Sequence, residues 1–167
     1  MVRSSTSTEV FMEADASLKQ EVLRLVPQQE PFRFIDEIIS LDDEQIVGAY
    51  RFREDEYFYR GHFPGNPITP GVILIETMAQ IGVVAFGIYL LSRQKNMRPG
   101  AMKMPISLFA LADSVEFKQI VKPGERVIVK AEKIYFRKIT IKASVSMEKE
   151  NGEIICRGEL SGVGVDQ

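Results

Sequence analysis

Between residues 72 and 91 nearly every position is apolar, and the polar interruptions, Glu76, Thr77 and Gln80, cluster near the start. About twenty such residues are long enough to cross a bilayer. A carboxylate and an amide one helical turn apart would be costly in lipid, however, so the segment is predicted as a helix buried in a protein core. Downstream the period changes from helical to twofold. Ile139, Ile141, Ala143, Val145 and Met147 alternate with Thr140, Lys142, Ser144, Ser146 and Glu148, which predicts a strand with one buried and one wet face. Residues 106–117, 125–136 and 153–164 give three more strands, punctuated by the turn sequences VKPGE and KENG. Upstream, residues 31–53 carry two β-rich runs around the acidic turn Leu41 to Glu44, a hairpin. Before them, Ser17 and Gln20 have the spacing of a capping box, and Leu18, Val22 and Leu25 predict a short amphipathic helix ending at Pro27.

The predicted order is helix, two strands, one long helix, four strands. A single apolar helix is best buried by a curved antiparallel sheet wrapped around it, which makes the fold class α+β. Such a sheet has free edges, and pairing them across a twofold axis would cover them, so a homodimer is expected.

At 167 residues the chain suits one domain, drawn at 17–167 behind a polar, flexible tail at 1–16 that lacks the apolar core of a signal peptide. With 21 Lys plus Arg against 23 Asp plus Glu, the net charge of −2 gives no global attraction for nucleic acid or an anionic membrane. The one cysteine, Cys156, excludes an internal disulfide, fits a reducing cytoplasm and sits in a predicted strand as a packing residue. The single histidine has no cysteine partner and no spaced carboxylate cluster, so metal ligation is not expected.

That histidine stands in the stretch YRGHFPGNPITPGVILIETMAQ, residues 59–80. Three glycines and three prolines make the loop turn sharply while restricting it, so its shape is specified. Pro70-Gly71 opens the long helix, where free N–H groups and the positive dipole end suit an anion or a polarised carbonyl oxygen. Glu76 follows four apolar residues, an environment that raises a carboxyl pKa and favours a proton donor. His62 has the intrinsic pKa of a general base near neutrality. Taken singly, each residue also has a plain explanation: His62 as a turn residue bonded to backbone, Glu76 as a first-turn glutamate favoured by the helix dipole. Tyr57, Phe58 and Tyr59 read as packing for the loop.

The stretch GHFPGNPITPGVILIETMAQ resembles the signature of the FabZ-type 3-hydroxyacyl-acyl-carrier-protein dehydratases, and LVPQQEPFRFIDEI and LADSVEFKQIVKPGERV resemble flanking segments of that family. The resemblance runs from about residue 18 to 164. It implies a hot-dog fold, no cofactor and an active site at a dimer interface, where His62 of one chain meets Glu76 of the other. His62 would remove the C2 proton of a 3-hydroxyacyl thioester, Glu76 would protonate the departing C3 hydroxyl, and Gly71 with Phe63 would receive the thioester. Glutamate, where the related dehydratase-isomerases have aspartate, favours dehydration without migration of the double bond. An acyl tunnel would draw on Met78, Ala79, Val83, Leu108 and Phe109, although each is equally explained as core. Arg93, Lys95, Arg98 and Lys103 form a basic stretch that would meet the acyl carrier protein, and family members often assemble as a trimer of dimers.

Three positions depart from the family pattern. Gln28-Gln29 replaces a common His-Arg, Leu108 stands where many members have a tunnel-gating tyrosine, and Leu111 where glycine is frequent. These changes point to an altered pocket, suited to primary fatty acids or to a polyketide or polyene substrate. Two other functions fit the same pattern: a hot-dog acyl thioesterase, and a noncatalytic subunit that binds acyl carrier protein.

Overall fold

The computed structural model describes residues 12–166, so most of the predicted tail lies outside it. Helix α1 spans Ala16–Leu25. Its cap is Asp15, whose Oδ1 accepts from the Leu18 N–H at 2.8 Å, rather than the expected Ser17. Asp15 lies at the same distance from its target that a capping box needs, and its negative charge also suits the dipole. Ser17 is inside the helix and accepts a hydrogen bond from Arg98. The fold begins before residue 17: Ala14 is buried and its N–H donates to the Leu41 carbonyl.

Strands β1 (Glu37–Leu41) and β2 (Gln45–Arg51) form the predicted hairpin, with Asp42 Oδ1 holding the turn by accepting from Glu44 and Gln45 N–H. Strands β3 (Ile106–Phe117), β4 (Arg126–Arg137), β5 (Thr140–Lys149) and β6 (Ile154–Val165) complete one antiparallel sheet in the order β1-β2-β4-β5-β6-β3. On β5, Ile141, Ala143, Val145 and Met147 are buried as the alternation requires; Ile139 precedes the strand and stays exposed.

The sheet wraps the central helix α2, a continuous 25-residue run over Gly71–Lys95 with a π-helical stretch at Gln80–Ala85. The helix is long and apolar enough to cross a membrane, yet 72% of its most apolar stretch is buried inside the protein. It is a core helix. Contact is close at Gly82, where an added Cβ would stand only 2.8 Å from the Cβ of Ala131 on β4. Only glycine lets helix and sheet approach so far. α2 ends at Asn96, which takes a left-handed conformation (φ 50°) while the Met97 N–H caps the Ser92 carbonyl. Cys156 is buried in β6, and burial pushes its thiol up to about 11, consistent with a packing role.

The two edges of the sheet differ. β1 has five residues and is covered on one side by α1. β3 has twelve, is hydrogen-bonded on one side to β6, and exposes Ile106, Leu108, Phe109, Leu111 and Phe117.

Candidate active site

The loop from Gly61 to Pro70 is held from within and from behind. The Ile68 N–H donates to the His62 carbonyl, the Thr69 N–H to the Val121 carbonyl, and the hydroxyls of Tyr59 and Thr69 share a hydrogen bond of 2.6 Å. Tyr59 and Phe58 pack beneath it as expected, while Tyr57 is exposed. The peptide bond between His62 and Phe63 is cis, and the Phe63 ring stacks on the imidazole with centroids 4.1 Å apart.

His62 Nδ1 lies 2.8 Å from the carbonyl oxygen of Ile68. A carbonyl can only accept, so Nδ1 carries the hydrogen, and in neutral His62 the lone pair is on Nε2. The backbone thus selects the tautomer that a general base needs, with its basic nitrogen turned away from the loop.

Glu76 sits on α2 beneath that loop in sequence but in a different environment. Burial pushes its carboxyl above the usual glutamate range; a hydrogen bond from Gln80 Nε2 to Oε1, at 2.9 Å, opposes the shift in part. Gln80 is fully buried. Its Oε1 accepts from the Phe34 N–H at 2.7 Å, and its Nε2 also donates to the Phe32 carbonyl at 2.9 Å. Because the Phe34 N–H requires an oxygen, the amide cannot be flipped, and the Nε2 must face Glu76. The bond occupies Oε1 and leaves Oε2 to carry a transferable proton. Gln80 was visible in the sequence one turn after Glu76; its tie to the 32–34 segment, 46 residues away, was not.

Glu76 opens on a cavity of about 120 Å³ lined also by Gln28, Ala79, Val83, Val84, Ser107, Leu108 and Phe109. Four of the five expected tunnel residues therefore meet the expected acid. Met78 does not: it is fully buried in the core cluster on another face of α2. Gln28 Oε1 is buried without a hydrogen-bond partner among the described residues, so this cavity contains an unused acceptor. His62 is not among the residues lining it.

Gly71 is the first residue of α2, after Pro70, and its position leaves its N–H without an intrahelical acceptor. An added Cβ there would come within 3.1 Å of the Phe117 ring. Phe63 is about half exposed beside the histidine. The basic candidates lie at the other end of α2. Arg93 is paired with Asp43 at 3.0 Å and Arg98 with Glu21 at 2.5 Å, while Lys95 and Lys103 are exposed. Among the described residues no cluster of metal-ligating side chains occurs.

A long helix enclosed by one antiparallel sheet is the hot-dog architecture. Solved structures agree on the fold: a dehydratase heterocomplex, ApeI:P from Xenorhabdus doucetiae, matches with TM-score 0.71 at 13% identity, covering 87% of this chain and 91% of that one. A hypothetical thioesterase with coenzyme A from Streptococcus pneumoniae TIGR4 matches with TM-score 0.52 at 14% identity, over 78% and 86% of the two chains. The fold alone thus does not choose between these chemistries. Sequence does. A family model described as the FabA-like domain matches residues 26–160, and the chain belongs to that family. It is 36% identical over 140 residues to the 3-hydroxyacyl-[acyl-carrier-protein] dehydratase FabZ of Caldicellulosiruptor saccharolyticus, covering 83% of this chain and 92% of the relative. The protein of the same name in Bacillus pumilus is 33% identical over 143 residues, covering 85% and 92%.

Proposed function

We infer that the protein dehydrates 3-hydroxyacyl groups carried on acyl carrier protein, giving trans-2-enoyl thioesters in fatty acid biosynthesis. The observation that carries the mechanism is the opposed preparation of its two groups: His62 with a free basic Nε2, Glu76 biased toward its protonated form. His62 Nε2 takes the C2 proton, and the electron pair of that C–H bond forms the C2–C3 double bond as the C3–O bond breaks. Glu76 Oε2 delivers its proton to the departing hydroxyl, which leaves as water. The Gly71 N–H, at the positive end of α2, stabilises the negative charge that builds on the thioester oxygen, with Phe63 flanking it. Gln28 Oε1 accepts the hydrogen of the substrate's 3-hydroxyl and so orients that oxygen toward Glu76. The residues perform proton transfer alone, a reaction that uses no cofactor.

The acid and base complete one another across a homodimer. Strand β3 presents a long apolar edge, and its Leu108 and Phe109 also line the Glu76 cavity. Pairing two β3 edges about a twofold axis covers that surface and closes the cavity with the partner's loop, placing the partner's base opposite Glu76. Three such dimers form the full assembly. The acidic carrier protein docks on Arg93, Lys95, Arg98 and Lys103, competing with the ion pairs that hold Arg93 and Arg98. The protein works in the cytoplasm.

Mass spectrometry of a 3-hydroxyacyl carrier protein after incubation tests the activity. Loss of one water from the acyl group, absent with His62→Ala, is expected. Release of free acid without an enoyl product would identify a thioesterase, and no change at all would leave a binding subunit.

A further inference from the structure

Beyond the cavity at Glu76 lies a second one, of about 40 Å³, lined by Val84, Gly87, Ile88, Leu91, Met104 and Phe136 among others. It exceeds the roughly 10–15 Å³ that a water needs, but its walls are apolar, so it is suited to hydrocarbon. The two cavities share Val84 and Ser107. Their helical walls form a single stripe: 76, 79, 83 and 84 in front, then 84, 87, 88 and 91 behind, spaced by the three and four residues that keep one face of a helix together. The opposite wall runs in step, from Phe109 and Leu108 in front through Ser107 to Pro105 and Met104 behind. At the joint, Gly162 has no side chain; a Cβ there would run into Val83 and stand 3.3 Å from Ser107 Oγ.

Gly87 forms part of the wall of the rear chamber, and its packing differs from that of Gly82. A Cβ at Gly82 would collide with the sheet, whereas one at Gly87 would meet nothing nearer than Ile141 Cγ2 at 3.9 Å, an ordinary contact. Glycine is among the poorest residues for a helix interior, so packing does not explain its presence at 87. What its missing side chain leaves is space beside the cavity.

We propose that the two cavities are one acyl channel and that Gly87, by keeping its far chamber open, sets the length of chain the enzyme accepts. This rests on the dehydratase reading above. The eight steps from Glu76 to Val84 span about 12 Å of helix, or about nine methylenes beyond C3, because each ~1.5 Å carbon–carbon bond advances an extended zigzag chain by only ~1.3 Å. The joint is thus reached near the twelfth carbon, and the small rear chamber takes the next few. The favoured substrates are unbranched 3-hydroxyacyl chains of roughly twelve to sixteen carbons.

The test compares wild type, Gly87→Ala and Gly87→Leu on 3-hydroxyacyl carrier proteins of even lengths from four to sixteen carbons. Each buried methylene contributes about fourfold in binding, so filling the chamber is expected to lower kcat/KM for the sixteen-carbon substrate by about tenfold or more. The six-carbon substrate should stay within about twofold of wild type. Gly87→Ala should shorten the profile less while raising the melting temperature, because alanine favours the helix and meets no clash. A gain in stability with a loss confined to long chains separates a channel from a damaged fold. Equal effects at every length, or an unchanged profile, would overturn the proposal. If wild type dehydrates none of the series, the dehydratase reading fails instead, and displacement of a fluorescent polyene fatty acid decides the channel separately. Saturated sixteen-carbon acid should displace it from wild type and much less from Gly87→Leu; equal displacement from both would refute the channel.

Discussion

His62 and Glu76 are fourteen positions apart in one motif, yet the protein prepares them by opposite means. The histidine is placed by backbone: a turn folds the Ile68 carbonyl onto Nδ1, and the ring remains partly open to solvent beside Phe63. The glutamate is placed by side chains and burial, on a rigid helix whose apolar flank disfavours its charged form. In the proposed mechanism the base must remain reachable and basic, which a shaped loop at the surface allows; the acid must remain protonated, which the interior favours. The two environments are hard to combine around one cavity in one chain, which is a physical argument for the proposed site shared between two.

The largest effects should come from removing either member. His62→Ala and Glu76→Gln are each expected to lower kcat by about 10²–10⁴-fold with the fold unchanged by circular dichroism. Near wild-type rates in either would break the contrast between base and acid. Mixing the two inactive variants after subunit exchange should recover part of the activity, since with a shared site each heterodimer then contains one intact pair. No recovery after verified exchange would place both groups in one chain.

The contrast also predicts a dependence on pH. Glu76 has a folded-state pKa raised above its ordinary 4.5, so the folded chain holds this proton more tightly than the unfolded chain. The resulting stabilisation is complete below about pH 4.5 and is lost as pH rises through the raised value. Glu76→Gln, which has no such proton to lose, should remove this decline; urea denaturation across that range measures it. The dehydration rate should fall through the same raised pKa as the acid form disappears.

Much of this arrangement could be read from sequence, and the unreadable parts share a cause. The twofold alternation at 139–148 and the apolar run after Pro70 specify their elements locally, and the structure has both. The capping residue of α1 was misjudged because Asp15 and Ser17 are both good caps, and only the three-dimensional path of residues 14–16 selects Asp15. Met78 was misplaced for a related reason: on a helix buried all round, periodicity does not say which face meets the cavity. The Gln80 bridge depends on a segment 46 residues earlier, a pairing that no local pattern records.

Gln80 gives a smaller prediction about how the acid is held. Gln80→Leu leaves the Phe34 N–H and the Phe32 carbonyl unpaired, at about 1–3 kcal/mol each in stability. It also removes the bond that lowers the pKa of Glu76. The basic limb of the pH–rate profile should therefore move to higher pH, with kcat reduced about tenfold and KM little changed. A loss of rate without movement of that limb would reduce Gln80 to a packing role.

The smallest effect belongs to Gln28, whose buried oxygen shares the Glu76 cavity and has no partner among the described residues. Leaving a polar atom unpaired in the interior opposes folding by about 1–3 kcal/mol, so Gln28→Leu should be more stable than wild type by an amount in the lower part of that range. If the oxygen accepts the substrate's 3-hydroxyl, the same variant should bind substrate several-fold less well, seen as a higher KM, while the chemistry at His62 and Glu76 continues. Stability gained together with affinity lost is the expected outcome, the stability–activity trade-off of a polar group held for a ligand. Higher stability with unchanged KM would remove Gln28 from the site and leave Glu76 alone to orient the departing hydroxyl.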